Sequence, residues 1–326
     1  MTRMDTLYCP FAPKVHTDAS SVHEGSVLWA RSLGMLPTEQ HVRTAQKAKV
    51  GWLVARAFPT AMSRGLQLVA DWTVLFCVLD DHIEKLGSAR KVENYLQHLL
   101  AVFRGEVAGS AEDPFAAGMI DLRVRLLAMA APRHFHSFAD RLEELFKGNV
   151  AEARQRERGK IPSVVSYLQL REVTIGLQVM FALAEILEGF SLPETIREHP
   201  ALRRLATRTS NIVGWANDLF TYEKEIIQGE MHNLVLVLMN EHRLTIAQAV
   251  AQAVMLHDNE VRVFLAEIEQ LPSFGLANAN VQRYVAMLRS WIRGHLDWAH
   301  ETGRYRPFEE PAAEQTGRSA AATAAA

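Results

Sequence analysis

Residues 217–225 read Asn217-Asp218-Leu219-Phe220-Thr221-Tyr222-Glu223-Lys224-Glu225. Three oxygen-bearing side chains, Asn217, Thr221 and Glu225, recur every fourth residue. A helix turns once in about 3.6 residues, so this spacing stacks all three on one face. The stretch before them, Ile212-Val213-Gly214-Trp215-Ala216, is apolar, and taken alone the oxygen row could equally be an exposed polar stripe on an amphipathic helix. An amide oxygen, a hydroxyl and a carboxylate form a hard, oxygen-only donor set, which suits Mg²⁺ and disfavours zinc or copper.

A second acidic cluster lies far upstream. Asp80-Asp81-His82-Ile83-Glu84 closes the apolar run Val74-Leu75-Phe76-Cys77-Val78-Leu79. Asp80 and Glu84 share a helix face, with Asp81 beside them. Carboxylates at the end of a core helix need a counter-charge. Two such faces meeting across a cavity would suit several Mg²⁺ ions bridging a diphosphate.

Outward from these clusters the pattern is helical from about Ser21 onward. Pro and Gly fall at intervals that suit helix ends: Pro59, Gly87, Gly105, Pro114, Pro132, Gly159, Pro162, Gly189, Pro193, Pro200, Gly229 and Pro272. The segments between carry apolar residues at spacings of three and four, as in Leu142, Leu145, Phe146 and Val150. Residues 233–239 (Asn-Leu-Val-Leu-Val-Leu-Met) are β-branched enough to suggest a strand, but their helical surroundings predict a helix buried all round. The expectation is an all-α fold: a single-domain helical bundle over residues 19–308 around a central apolar cavity. Residues 1–18 read as an extended arm, and the Ala-rich residues 309–326 as a disordered tail.

Composition narrows the function classes. The chain is 326 residues long, 48% hydrophobic and 22% charged, with a net charge of −2. No overall basic field points to nucleic acid. Two cysteines, Cys9 and Cys77, make a disulfide framework unexpected and a reducing, cytoplasmic compartment the expectation. Arg3, Asp5 and Lys14 leave no sustained apolar N-terminal stretch, and Asp71, Asp80 and Glu185 interrupt the apolar interior runs, so neither a secretory signal nor membrane insertion is expected. The thirteen histidines form no His-Glu-x-x-His pair, and neither a Walker loop nor a dinucleotide fingerprint is present.

The two clusters together resemble those of the bacterial class I terpene synthases (terpene cyclases). That family carries an aspartate-rich motif, matched by Asp80-Asp81-x-x-Glu84, and a second metal-binding triad, matched by Asn217, Thr221 and Glu225. Arg171 falls where the family has its diphosphate-sensing arginine. Thr174 and Ile175 match the linker and effector positions at a mid-helix break that Gly176 would permit. The stretch from Trp291 to Trp298, followed by Arg304-Tyr305, resembles the family's last helix with its Arg-Tyr pair, and Gly51 to Pro59 also has the family's look. Glu84 stands where a third Asp is more common and Thr221 where Ser is more usual, and both keep an oxygen in place.

The resemblance implies a class I terpenoid synthase fold and a prenyl diphosphate substrate, ionised with Mg²⁺, three ions held together with the diphosphate. It assigns metal binding to Asp80, Glu84, Asn217, Thr221 and Glu225, and to Asp81, although the family's second Asp often pairs with an arginine on closure instead. It makes Arg171, Lys224, Arg304 and Tyr305 the diphosphate donors. The cation that follows needs a dry pocket with aromatic faces. Phe76, one turn before Asp80, is the first candidate for that wall, followed by Trp72 and Trp298, with Val179, Met180 and Val213 as lining. Chain length and motif style favour farnesyl diphosphate and a sesquiterpene product. Geranylgeranyl diphosphate, a prenyl diphosphate synthase and a non-catalytic helical scaffold are the alternatives, and the assembly is expected to be a monomer or homodimer.

Overall fold

A computed structural model describes residues 7–305. Among them there is no strand, and fifteen α-helices follow one another. They are α1 (Ala19–Ser32), α2 (Glu39–Ala48), α3 (Val50–Ala57), α4 (Ser63–Ile83), α5 (Ala89–Arg104), α6 (Pro114–Met129), α7 (Pro132–Glu157) and α8 (Val164–Thr174). Then come α9 (Leu177–Phe181), α10 (Ala184–Glu188), α11 (Glu194–Arg197), α12 (Pro200–Gln228), α13 (Leu234–His242), α14 (Ile246–Glu269) and α15 (Asn278–Glu301). Residues 7–18 precede the first helix, whereas the tail expected at 309–326 lies outside the described residues.

The punctuation works by ordinary capping chemistry. Pro114, Pro132 and Pro200 open α6, α7 and α12, where a missing N–H costs nothing. Gly105 and Gly229 close α5 and α12 in the left-handed conformation. Ser88, Asp113, Ser163, Asn233 and Thr245 accept backbone N–H groups at helix starts, and Thr245 with Gln248 completes a capping box. The tempting strand at 233–239 is a helix from Leu234, with Leu234, Val235, Val237 and Leu238 all buried.

Helix α4 is apolar on nearly every side, and it buries Leu66, Leu68, Val69, Trp72, Leu75 and Leu79. Such a helix is stable only inside a ring of others. It packs on α1, α3 and α6, while α12 packs on α8, α13, α14 and α15. The α-helical part of α4 ends at Ile83, and Glu84 begins a single 3₁₀ turn to Leu86. Buried Asp71 of α4 is held by Arg125 of α6 at 2.6 Å and by Gln67 at 2.7 Å, with burial pushing its carboxyl up to about 6. No described helix is long and apolar enough to cross a membrane.

Helices α1 and α3 approach so closely that a Cβ on Gly51 would lie 2.5 Å from the Cα of His23. Backbone, not a flexible side-chain tip, blocks that space. Gly51→Ala is therefore expected to lower stability by about 2 kcal/mol through forced helix separation. Thermal melting checks this, and an unchanged melting temperature would place α1 and α3 further apart than described.

Candidate active site

The C-terminal end of α4 and the C-terminal half of α12 meet at the mouth of a cavity of about 300 Å³. Its floor is apolar, built from Leu53, Phe76, Leu177, Met180, Val213 and Trp291. Its rim carries all six residues with a metal role in the sequence reading: Asp80, Asp81, Glu84, Asn217, Thr221 and Glu225. The diphosphate-donor candidates Arg171, Lys224, Arg304 and Tyr305 line the same cavity, as do Thr174 and Ile175. These residues come from segments spread over most of the chain, and the fold brings them to one place.

Two helix features set this convergence. Helix α8 stops at Thr174, and Gly176, with φ of 77°, turns the chain into α9. Few side chains tolerate that conformation, so glycine permits the break. Beyond α15, Gly303 donates its N–H to the Lys47 carbonyl at 2.8 Å and the Thr302 hydroxyl donates to the Ala48 carbonyl at 2.9 Å. That anchor fixes the segment bearing Arg304 and Tyr305 over the rim.

The rim is crowded with like charge. Burial and Asp80 push the Glu84 carboxyl up to about 7, with Glu230 adding to the rise and Arg156 opposing it. Asp80 retains solvent contact on its cavity side, yet the protein packed around it pushes its carboxyl up to about 6, with Arg304 opposing the rise and Asp81 adding to it. Arg304 Nη2 lies 3.4 Å from Asp81 Oδ1, and Arg156 Nη2 lies 3.3 Å from Glu230 and 3.9 Å from Glu84. Asp81 thus faces an arginine, the partner that the resemblance implies. On α12, Asn217 Oδ1 accepts from Arg171 Nη2 at 2.7 Å, and Glu225 Oε2 accepts from Asn233 at 2.8 Å.

The donor set fits Mg²⁺. It is made of carboxylate, amide and hydroxyl oxygens, and its carboxylates are destabilised by mutual repulsion that a cation would relieve. Among the described residues no three His, Cys, Asp or Glu side chains form a ready coordination sphere.

Several residues at the site escape the sequence reading. Asp218, fully buried beneath Arg171, lies 2.8 Å from its Nη2 and accepts from the Tyr167 hydroxyl and, at 3.0 Å, from the Leu234 N–H. Burial, with Glu225 nearby, pushes this carboxyl well up, and the Leu234 N–H opposes the rise; both hydrogen bonds fall on Oδ2, while Oδ1 faces Arg171. Asn149, Glu152 and Arg156 of α7 also line the cavity. Their spacing of three and four on one helix face is a signal that the sequence carries. His232 and His295 join them through tertiary packing, for which no local pattern exists.

The aromatic candidates separate. Phe76 lines the cavity and stacks on Trp72 at 5.0 Å. Trp72 is fully buried behind it, against Phe103 and Phe138, and belongs to the core. Trp298 lines the cavity with its Nε1–H fixed on the Ala48 carbonyl at 2.8 Å. Met180 and Val213 line the floor, whereas Val179, one residue from Met180, turns to a groove on the outer side of α7 and α12.

Residues 71–263 match the family described as terpene synthase family 2, C-terminal metal binding. Germacrene A synthase of Nostoc punctiforme is 31% identical over 309 residues, covering 93% of this chain and 95% of the relative. A (+)-T-muurolol synthase of Roseiflexus castenholzii, named as cyclising (2E,6E)-farnesyl diphosphate, is 30% identical, covering 92% and 93%. A single-substitution variant of cucumene synthase, of known structure, superposes with a TM-score of 0.79 at 26% identity over 91% of this chain and 99% of that one. The chain belongs to the terpene synthase family. It is a carbon–oxygen lyase acting on phosphates, with the all-α fold of that class.

Removing the Asp218 carboxylate would leave the Tyr167 hydroxyl and the Leu234 N–H without an acceptor in a buried place, and Arg171 without its buried counter-charge. Asp218→Ala is expected to lower stability by about 3–5 kcal/mol, the usual effect of breaking a buried ion pair. Urea titration measures it. A loss below about 1 kcal/mol, the range of exposed pairs, would show that Asp218 is not the brace described.

Proposed function

We propose that this enzyme ionises farnesyl diphosphate with Mg²⁺ and cyclises the resulting cation to a sesquiterpene, releasing inorganic diphosphate. One observation carries the reading: oxygen-rich faces of α4 and α12 flank the mouth of a single cavity whose floor is apolar and aromatic. The polyanionic end of the substrate suits the rim and its branched carbon chain suits the floor. A volume of about 300 Å³ lies at the small end of ligand cavities, which favours the fifteen-carbon chain over the twenty-carbon one.

Asp80, Glu84, Asn217, Thr221 and Glu225 would hold the metal. Bound Mg²⁺ neutralises charge on the leaving diphosphate as a Lewis acid. Arg171, Lys224, Arg304 and the Tyr305 hydroxyl donate to diphosphate oxygens, so the electron pair of the breaking C–O bond leaves onto a group already clamped by donors. Arg171 turns from Asn217 toward the diphosphate while Asp218 keeps its base in place. The C-terminal end of α8, at Thr174 and Ile175, bears the partial negative charge of a helix terminus and favours the developing allylic cation. Phe76 and Trp298 turn aromatic faces to that cation, and the apolar floor keeps water from quenching it early.

Purified protein given farnesyl or geranylgeranyl diphosphate, with Mg²⁺ or with EDTA, is expected to release diphosphate and a cyclic C15 hydrocarbon or alcohol only with the first substrate and the metal. Gas chromatography with mass spectrometry reads the product, and faster turnover of the C20 substrate would overturn the assignment of chain length. Glu225→Ala should lower turnover by about a hundredfold or more, the scale of losing one charge-stabilising contact. Near-native turnover of that variant would remove α12 from the metal site.

Phe76 allows a sharper separation. Phe76→Ala should reduce turnover and shift products toward acyclic or water-quenched ones, because the wall loses its aromatic face and gains space. Phe76→Tyr should keep more activity. If Phe76 merely supports Trp72, the Ala variant melts earlier while the folded enzyme keeps its product ratio, so both quantities are measured on the same preparation.

A further inference from the structure

The three oxygen donors of α12 are each oriented by a hydrogen bond that leaves lone pairs free. Asn217 Oδ1 accepts from Arg171, and the Thr221 hydroxyl gives its proton to the Asn217 carbonyl at 3.0 Å. Glu225 is held from another direction. Among the described residues its carboxylate has one hydrogen-bond donor, Nδ2 of Asn233, which lies 2.8 Å from Oε2.

Asn233 reaches Glu225 because the chain reverses between them. Gly229, with φ of 75°, closes α12, and the turn brings Asn233 back against that helix as the N-cap of α13. Its side chain is fully buried, and each of its polar atoms has a partner. Oδ1 accepts the Val235 N–H at 2.8 Å, while Nδ2 donates to the Asp218 carbonyl at 2.9 Å and to Glu225. A backbone N–H only donates and a backbone carbonyl only accepts, so these two neighbours fix which end of the amide faces Glu225.

The backbone bonds do not by themselves call for an asparagine. Capping α13 needs only an oxygen, which Ser or Asp supplies as well. The Asp218 carbonyl lies inside α12, where the helix ladder already gives it an N–H. The bond to Glu225 needs an N–H that a capping Ser or Asp lacks. A neutral donor also differs from the arginines elsewhere on the rim, because it orients a carboxylate without cancelling its charge. Oε2 of Glu225 is thereby held, and Oε1 keeps its attraction for a cation.

We propose that Asn233 is a positioning residue of the metal site: its Nδ2 holds Oε2 of Glu225 and so presents Oε1 to Mg²⁺. The inference rests on the reading of Glu225 as a metal ligand given under Proposed function. It does not require Asn233 to touch metal or substrate.

Titration calorimetry with inorganic diphosphate at a series of Mg²⁺ concentrations tests it without turnover. Asn233→Ser keeps a capping oxygen and removes both amide N–H groups, whereas Asn233→Ala removes the cap as well. The Mg²⁺ concentration for half-maximal diphosphate binding should rise about ten- to hundredfold in Asn233→Ser, the usual effect of removing the partner of a metal ligand. Asn233→Ala should show the same rise although it melts earlier, because binding follows the missing N–H and stability follows the cap. Raising Mg²⁺ should restore binding in both, since the weakened step is metal capture. If Asn233 only caps α13, Asn233→Ser needs Mg²⁺ within about twofold of the unsubstituted enzyme, far short of that range, and the proposal is overturned. A loss that persists at every Mg²⁺ concentration overturns it too. Asn233→Thr, another capping residue, takes the place of Asn233→Ser should that variant fail to fold.

Glu225→Ala sets the ceiling, and its requirement for Mg²⁺ should rise at least as far as that of Asn233→Ser. If Glu225→Ala binds like the unsubstituted enzyme, or if the unsubstituted enzyme binds no diphosphate with Mg²⁺, the metal-site reading falls and this proposal with it. If Glu225→Ala is impaired and Asn233→Ser is not, the site stands and the positioning role does not.

Discussion

The mouth of the cavity holds more negative charge than its own cations neutralise, and much of the structure follows from containing it. Asp80, Asp81, Glu84, Glu152, Glu225 and Glu230 ring the mouth, faced by Arg156, Arg171, Lys224 and Arg304. Carboxylates crowded by the surrounding protein and by one another gain affinity for protons, as at Asp80 and Glu84, even where they keep contact with solvent at the mouth. A bound cation would relieve the same repulsion, so the site carries a standing preference for metal. The strain is local because the helices bearing it are anchored elsewhere: α4 by its buried apolar length, and α12 by packing against α8, α13, α14 and α15.

Asp218 shows how the fold keeps one cation ready without neutralising it permanently. Its carboxylate is fully buried and draws in Arg171, the Tyr167 hydroxyl and the Leu234 N–H. The interaction also ties α12 to α8 and to the start of α13. A buried ion pair contributes little net stability compared with apolar packing, but removing one partner is costly. Its value here is geometric. Arg171 is held at the root, with its outer face over Asn217 and the cavity.

How much of this was legible depended on whether the information is local. Helix ends at Pro114, Pro132, Pro200, Gly105 and Gly229 follow from backbone chemistry that any reader of the sequence can apply. The oxygen row at 217, 221 and 225 is equally local, and so is the acidic end of α4, although α4 stops at Ile83 and Glu84 enters a 3₁₀ turn. Asn149, Glu152 and Arg156 were also legible, because their spacing puts three polar groups on one face of a helix that elsewhere buries Leu142, Leu145 and Phe146. Trp72 and Val179 show the limit. Val179 lies one residue from Met180, and which of the two points inward depends on helix rotation set by the whole bundle. Trp72 instead shares the face of Phe76 one turn deeper and is closed off by Phe103 and Phe138. Asp218 and Tyr167 mark a further limit, since each takes its meaning from a partner far away in sequence.

The break between α8 and α9 ties this charge containment to the chemistry of the cavity. An unbroken helix would satisfy the carbonyls near Thr174 internally and present only side chains to the cavity. Gly176 ends that continuity, and Gly148 of α7 lets the neighbouring helix close in, since a Cβ there would come within 3.0 Å of the Thr174 methyl. The result is a helix C-terminus, with its partial negative charge, set into the cavity wall below the rim. Cationic groups therefore gather where the diphosphate would leave, and a fixed negative dipole end lies where the carbon cation would form. The gradient between them is built from backbone and buried side chains, which need not reorganise as the charge separates, and that is the condition under which electrostatic stabilisation is most effective.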